Sequence, residues 1–189
     1  MTTIRWATPD DAHGVAIVHV DAWRTAYAGL IDQQVLDAQS VEHRTAMWRN
    51  WIERSLAGES TDAYGPVPHR LLVAQIEGRI IGWAGFGGGR DADSTHQGEL
   101  AGLYAYPSTW SQGIGHALIS RAEDELRAEG WTEAYLWVLK GNDRAIRFYE
   151  RHGWIADGRE KRGEGGSVQG LHEIRHSRRL SYPARPALR

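Results

Sequence analysis

The sequence predicts an α/β (α+β) fold, about seven strands flanked by helices. Three observations carry this reading. Thr132 to Leu139 is apolar on both faces, the pattern of a central strand covered from both sides. Leu71 to Ile76 and Arg79 to Phe86 are strand-like runs joined only by Glu77 and Gly78, which marks a tight hairpin. Gly113 and Gly115 stand between an apolar strand and an amphipathic helix, in which Ile114, Leu118, Ala122 and Leu126 recur every four residues.

The remaining elements follow in order. Ile4 to Ala7 reads as a short strand. Thr8 is an N-cap, Pro9 suits the first helical position, and Asp10 and Asp11 sit where the helix dipole favours acids. That helix runs to Tyr27, with Ala12, Val15, His19, Ala22 and Trp23 at helical spacing, and Gly29 ends it. A second helical region covers Val35 to Leu56, with Met47, Trp48, Trp51 and Ile52 on its apolar side. Residues 57–68 form a loop. After the hairpin, Gly87 to Gly89 and Arg90 to Thr95 read as a flexible connection, and Gln97 to Tyr106 as a third long strand. The helix from Gly113 to Glu129 meets its C′ glycine at Gly130. Asn142 caps a helix that ends at Gly153. Two final strands lie near Trp154–Glu160 and Leu171–Leu180, separated by the glycine-rich stretch 163–170. Residues 181–189 carry two prolines and read as a loose tail, so 1–180 are expected to form one domain.

Composition narrows the function. Of 189 residues, 41% are apolar and 24% charged, enough for a sizeable core. The nine Trp are expected to serve mainly in packing. A net charge of −2 and the lack of a long Lys/Arg run argue against a nucleic-acid partner. The chain has no cysteine, which excludes disulfides, thiol catalysis and zinc–thiolate sites. MTTIRWATPDD lacks the pattern of a signal peptide, and no apolar run has the length of a membrane span. The expectation is a cytoplasmic protein with no membrane partner.

The most informative stretch is YPSTWSQGIGHA, Tyr106 to Ala117. A glycine turn at a helix N-terminus presents several unpaired backbone N–H groups beside the positive end of the helix dipole. Such a turn suits a phosphate or diphosphate. The cradle would be the backbone of Ser111, Gln112, Gly113, Ile114 and Gly115, with His116 and Ala117 in the first helical turn. Gly113 and Gly115 are expected to permit close approach, because a Cβ there would block it.

This order of elements resembles the GNAT superfamily of N-acetyltransferases over nearly the whole chain. ELAGLYAYPSTWSQGIGHAL looks like the family's fourth strand and acyl-CoA diphosphate loop. Asn142, Ala145, Phe148, Tyr149, Gly153 and Trp154 match the pattern N-x-x-A-x-x-F-Y-x-x-x-G-[FW] that follows its fifth strand. One position departs: Trp110 stands where the family usually has Arg or Gln, which weakens the expectation of a charged contact to the diphosphate.

The resemblance implies a mixed, largely antiparallel sheet splayed between strands 4 and 5. It implies acetyl-CoA as co-substrate, no metal, and a primary amine as acceptor, attacked directly through a tetrahedral intermediate. Leu103, Tyr104 and Ala105 would line the pantetheine arm, and an N–H near Tyr104 or Ala105 would face the thioester oxygen. An alkylamine has a pKa of about 10 and must lose a proton before it attacks. Glu99 occupies the place of a carboxylate that works through water in family members, with His96 as a substitute. Tyr149 would be the acid for the leaving thiolate, and Asn142 would reach the pantetheine arm or sulfur. The acceptor pocket falls to Trp23, Tyr27 and the segment from Glu164 to Gly170. Trp23 serves equally well as a core residue. Dimers are common in the family, which leaves a homodimer open.

Three other readings compete with this one. A catalytically silent acyl-CoA-binding module would keep the fold without turnover. His172, Glu173 and His176 spell H-E-x-x-H, a zinc hydrolase motif, but that chemistry needs a helix and a third ligand, and no His, Asp, Glu or Cys follows His176. A dinucleotide fingerprint would require glycine where Leu118 stands.

Overall fold

The computed structural model describes residues 1–61, 68–163 and 170–180. Seven strands form one sheet: β1 (Thr3–Trp6), β2 (His69–Ile76), β3 (Arg79–Gly88), β4 (Gly98–Ala105), β5 (Glu133–Leu139), β6 (Ile155–Arg162) and β7 (His172–Arg179). Their spatial order is β1-β2-β3-β4-β5-β7-β6. Every neighbouring pair is antiparallel except β4 and β5, which run parallel. That parallel pairing covers only Gly98 opposite Ala134 and Glu99 opposite Tyr135. Beyond Glu99 the two strands part, as the family resemblance implied.

Both faces of the sheet are covered. The helices are α1 (Ala12–Ala26), α2 (Gln33–Asp37), α3 (Val41–Leu56), α4 (Ile114–Ala128) and α5 (Asp143–Arg151). Strand β2 shows the two-residue alternation: Leu72 and Ala74 join the core with α4, whereas Leu71 and Val73 join the core with α1 and α3. Gly14 lets α1 lie close on β3, since a Cβ there would stand 2.8 Å from Ile80. Among the described residues no helix is long and apolar enough to cross a membrane.

Several expectations hold at the level of backbone geometry. Glu77 (φ 49°) and Gly78 (φ 79°) both lie in the left-handed region and make the two-residue turn between Ile76 and Arg79. Gly130 (φ 94°) ends α4, and the Trp131 N–H donates to the Leu126 carbonyl at 3.0 Å.

Others are corrected. The helical region expected over 35–56 is two helices. Asp32 caps α2 by accepting from the Gln34 N–H at 2.8 Å, and Ser40 caps α3 by accepting from the His43 N–H at 3.3 Å. The first helix opens with a 3-10 turn, Pro9–Asp11, before α1. The connection after Phe86 is ordered rather than loose. β3 continues to Gly88, and the Gly89 N–H donates to the Gln97 carbonyl at 2.8 Å. The glycines serve close packing, because a Cβ on Gly87 would lie 2.5 Å from the His69 ring. Part of the 57–68 loop, residues 62–67, lies outside the described residues, as do the tail 181–189 and most of the Glu164–Gly170 segment.

Candidate active site

The parting of β4 from β5 opens a cavity of about 810 Å³ through the middle of the sheet. On one side it reaches the glycine turn before α4. On the other it reaches an aromatic layer built by α1, α3 and β3.

The turn has the expected geometry. Ser111 (φ 62°) and Gly113 (φ 84°) are both left-handed, and Gly113 is the N-cap of α4. The N–H groups of Ser111, Gly113, Ile114, Gly115 and His116 have no backbone acceptor among the described residues. A hydrogen bond to a charged group contributes about 1.5–3 kcal/mol, so several such donors suffice to hold an anion. The two glycines have different reasons. A Cβ on Gly113 would meet nothing within 4 Å, so its φ demands glycine. A Cβ on Gly115 would press on the Phe148 ring at 3.1 and 3.2 Å. Gly115 therefore also makes room for a side chain of α5.

Trp110 has a double role. Its indole N–H donates to the Ala105 carbonyl at 2.8 Å, which ties the turn to the end of β4. Its face carries the Arg144 guanidinium at 3.3 Å. Arg144 lines the cavity from α5, and burial lowers its pKa without discharging it. A cation is thus present beside the turn, supplied from the next helix rather than from position 110. Sequence reading missed it because the substituting residue lies 34 positions downstream (144 − 110).

Leu103, Tyr104, Ala105, Ser111, Gly113, Gly115, His116, Asn142, Tyr149, Trp23 and Tyr27 all line this cavity. Gln112 and Ile114 do not. Ile114 is buried in the core, and the Gln112 side chain donates back to the Ser108 carbonyl at 2.9 Å. Asn142 caps α5, its Oδ1 accepting from the Ala145 N–H at 3.2 Å. His116 Nδ1 lies 3.0 Å from His152 Nε2, and His152 Nδ1 lies 2.8 Å from the Phe148 carbonyl. A carbonyl only accepts, so His152 carries its proton on Nδ1 and His116 donates to Nε2. Tyr149 is 8% exposed, and its hydroxyl has no hydrogen-bond partner among the described residues. Burial raises its pKa, so the phenol stays protonated through the neutral range.

Glu99 stands apart. It does not line the cavity. Arg90 grips its carboxylate through Nε at 2.9 Å and Nη2 at 2.6 Å, and the Tyr135 hydroxyl donates to it at 3.2 Å. Burial would raise its pKa, but the Arg90 hydrogen bonds and charge prevail and hold it below the usual carboxylate range. His96 is exposed and also outside the cavity.

The aromatic layer centres on His19, which stacks against Trp23, Trp83 and Tyr104 at centroid distances of 5.5, 5.7 and 5.7 Å. Neither ring nitrogen of His19 has a hydrogen-bond partner among the described residues, and burial depresses its pKa to about 3. The His19 ring is therefore neutral at pH 7, and the charge on this wall is that of Arg44, which lines the cavity with its guanidinium 5.9 Å from the Trp23 ring centroid. Trp23 donates from Nε1 to the Tyr104 hydroxyl at 3.1 Å, and the Tyr27 and Tyr104 hydroxyls lie 3.0 Å apart. Trp23 is at once a core residue and a wall residue. Helical spacing pointed to His19 as an apolar-face residue, but nothing in the sequence placed it in a stack with β3 and β4.

The H-E-x-x-H segment is strand β7, not a helix. His172 Nε2 pairs with Glu160 at 2.7 Å, whereas His176 is wholly buried further along the strand. Alternation sends Glu173 to the other face, so the three side chains do not converge. No group of three metal-ligating side chains occurs among the described residues.

A split mixed sheet, an anion-binding turn at the split, and a phenol and an aromatic wall across it define a group-transfer enzyme that binds a phosphate-bearing donor. The sequence model of the acetyltransferase (GNAT) family matches residues 32–154, and the chain belongs to that family. It is 31% identical to the N-acetyltransferase YuaI of Bacillus subtilis over 80% of this chain and 79% of that one. Its fold is similar to the PaiA N-acetyltransferase of Thermoplasma acidophilum, solved with coenzyme A (TM-score 0.71, 21% identity, 93% and 98% of the two chains covered). It is also similar to the acetyltransferase YncA of Salmonella typhimurium, solved with its cofactor acetyl-CoA (TM-score 0.67, 21% identity, 98% of each chain covered).

Proposed function

We propose that this protein transfers acetyl from acetyl-CoA to a primary amine by direct attack. The observation that carries the reading is the parting of β4 and β5 at Glu99, which exposes one edge of β4 in the same cavity as the glycine turn. Acetyl-CoA supplies a diphosphate, a pair of amides and a reactive thioester carbonyl. The N–H groups of Ser111 to His116 bind the diphosphate, and Arg144, held flat on Trp110, adds the positive charge. The exposed edge from Leu103 to Ala105 pairs with the amides and aims the thioester toward the aromatic wall. A backbone N–H near Tyr104 or Ala105 stabilises the oxyanion. Tyr149, protonated and uncommitted, gives its proton to the departing sulfur. Asn142 steadies the start of α5 and turns its amide toward the pantetheine arm. Residues 1–180 act as one domain.

The acceptor side is aromatic around His19, Trp23, Trp48 and Trp83, with the Arg44 guanidinium over Trp23. It suits an amine on an apolar or aromatic body. A thiol-release screen with acetyl-CoA across alkyl, arylalkyl, amino-acid and polyamine acceptors tests the reading, together with coenzyme A binding by calorimetry. Micromolar binding and turnover of one amine class support it. Absence of coenzyme A binding overturns it, and binding without turnover of any amine reduces the protein to a silent acyl-CoA module.

A further inference from the structure

Direct attack needs a group that removes a proton from the incoming ammonium, and Glu99 is locked onto Arg90 outside the cavity. A second carboxylate lines the cavity itself. Glu173 sits on β7 opposite Leu139 of β5 and Lys161 of β6. Leu139 packs with Trp23, Ile31 and Leu36, so this face of the sheet is the one under α1 and α2. Leu171, two residues back, shares the face and lines the same cavity.

Glu173 makes no hydrogen bond or ion pair with a described residue. Lys161, its register partner, makes no ion pair with it: its Nζ lies 4.2 Å from the Trp137 ring centroid and 3.9 Å from Asp91, and its charge reaches Glu173 only from a distance. The other charged and titratable groups that Glu173 faces are Arg90 and Asp91 in the β3–β4 connection, Glu99 and Tyr104 on β4, and Tyr27 on α1. Arg90 is committed to Glu99. Tyr27 lines the same cavity, with its hydroxyl 3.0 Å from that of Tyr104. Glu173 is half-buried with no ion-pair partner among the described residues; Lys161 and Arg90 act on it only at longer range, and an incoming ammonium offsets its remaining desolvation cost. Burial also raises its pKa, which makes it a stronger base than the clamped Glu99.

We propose that Glu173, in the cavity wall on the α1–α2 side, binds the acceptor's ammonium group and takes its proton. The inference rests on the acetyltransferase reading above and names the residue that prepares the nucleophile. One N–H bond of the ammonium breaks, and its electron pair stays on nitrogen as the lone pair that attacks. The proton resides on a Glu173 oxygen until water removes it. Glu99 then acts by fixing Arg90, and the substrate class narrows to amines that are cationic in solution and carry an apolar body.

The test compares Glu173→Gln, Glu173→Asp and Glu99→Gln with the wild type on the best amine from the screen. Circular dichroism and coenzyme A calorimetry serve as controls. The expectation for Glu173→Gln is unchanged coenzyme A affinity, a fall in kcat/KM for the amine of about 100-fold or more, and loss of the acidic limb of the pH profile. Glu173→Asp should restore that limb in part, and Glu99→Gln should keep it. A Glu173→Gln enzyme with the wild-type pH profile and a rate within threefold overturns the inference while leaving the acetyltransferase reading intact. Transfer of the limb's loss to Glu99→Gln overturns it as well. If wild-type protein fails to bind coenzyme A or to acetylate any amine, the reading fails first and the inference with it.

Discussion

Arg90 closes a two-point ion pair on Glu99, with contacts of 2.9 and 2.6 Å, at the last position where β4 and β5 still pair. The pair locks the β3–β4 connection against the sheet at the point where the split begins. Glu99 is buried but the Arg90 side chain is 31% exposed, so water takes up part of its charge when Glu99 is removed, and the loss is about 1.5–3 kcal/mol, that of hydrogen bonds to a charged group. Glu99→Ala should lower the urea-unfolding free energy by about that amount. A loss below about 1 kcal/mol is the range of an exposed pair and would contradict this role.

Gly113→Glu should raise the dissociation constant of coenzyme A at least 100-fold, about 2.8 kcal/mol at 1.4 kcal/mol per decade. The substitution forces a side chain into φ 84° and sets a carboxylate among the donors that bind the diphosphate. Calorimetry checks it, and an affinity within threefold of wild type would remove the turn from the site.

Arg144→Ala should weaken coenzyme A binding by about tenfold at low salt and by less at high salt, since an exposed charge contact is screened. Trp110→Ala should have a similar effect, because the indole holds Arg144 at 3.3 Å. Equal losses at both ionic strengths would mean that packing rather than charge is involved.

Tyr149→Phe should lower kcat by about 100-fold with coenzyme A affinity within twofold. The hydroxyl has no described partner, so its removal leaves no orphaned group behind and the fold should be unaffected. Single-turnover kinetics would separate this from slowed product release, and an unaltered chemical step would exclude the phenol.

Stability should fall with acid before most carboxylates titrate. His19 and His176 are buried as neutral rings, and burial lowers both pKa values below the ordinary value of 6.5, that of His19 to about 3. The unfolded chain binds protons at these positions first. Their contribution is complete above pH 6.5 and is lost as pH falls toward the folded value, at about 1.4 kcal/mol per pH unit for each ring. Urea melts at pH 7.5 and 5 should show this slope, and His19→Phe should flatten it. Identical slopes for the two proteins would show that His19 is protonated inside the fold.

Much of the fold was legible because it follows from local rules. The Glu77–Gly78 hairpin, the Gly130 cap, the Asn142 cap and the strand at 133–139 each depend on a few adjacent residues. The errors came where local and distant effects mix. The break at 38–40 is a matter of two capping side chains competing with a continuous helical pattern. The glycines at 87–89 read as looseness, yet they exist because His69 and Ser94 pack within 3 Å of where a Cβ would stand. Glu173 was visible only as the middle of a metal motif, since the face of β7 it occupies depends on pairing with β5.

The sequence pointed to the family, the glycine turn before α4 and the Asn142 cap of the helix after β5, because these lie within short contiguous segments whose backbone preferences are local. Tertiary structure decided which charges meet. Arg144 reaches Trp110, Arg90 disarms Glu99, and Glu173 comes under α1, all through contacts between elements far apart in the chain. Electrostatic character depends on burial and neighbours in space, and neither is written in the order of residues.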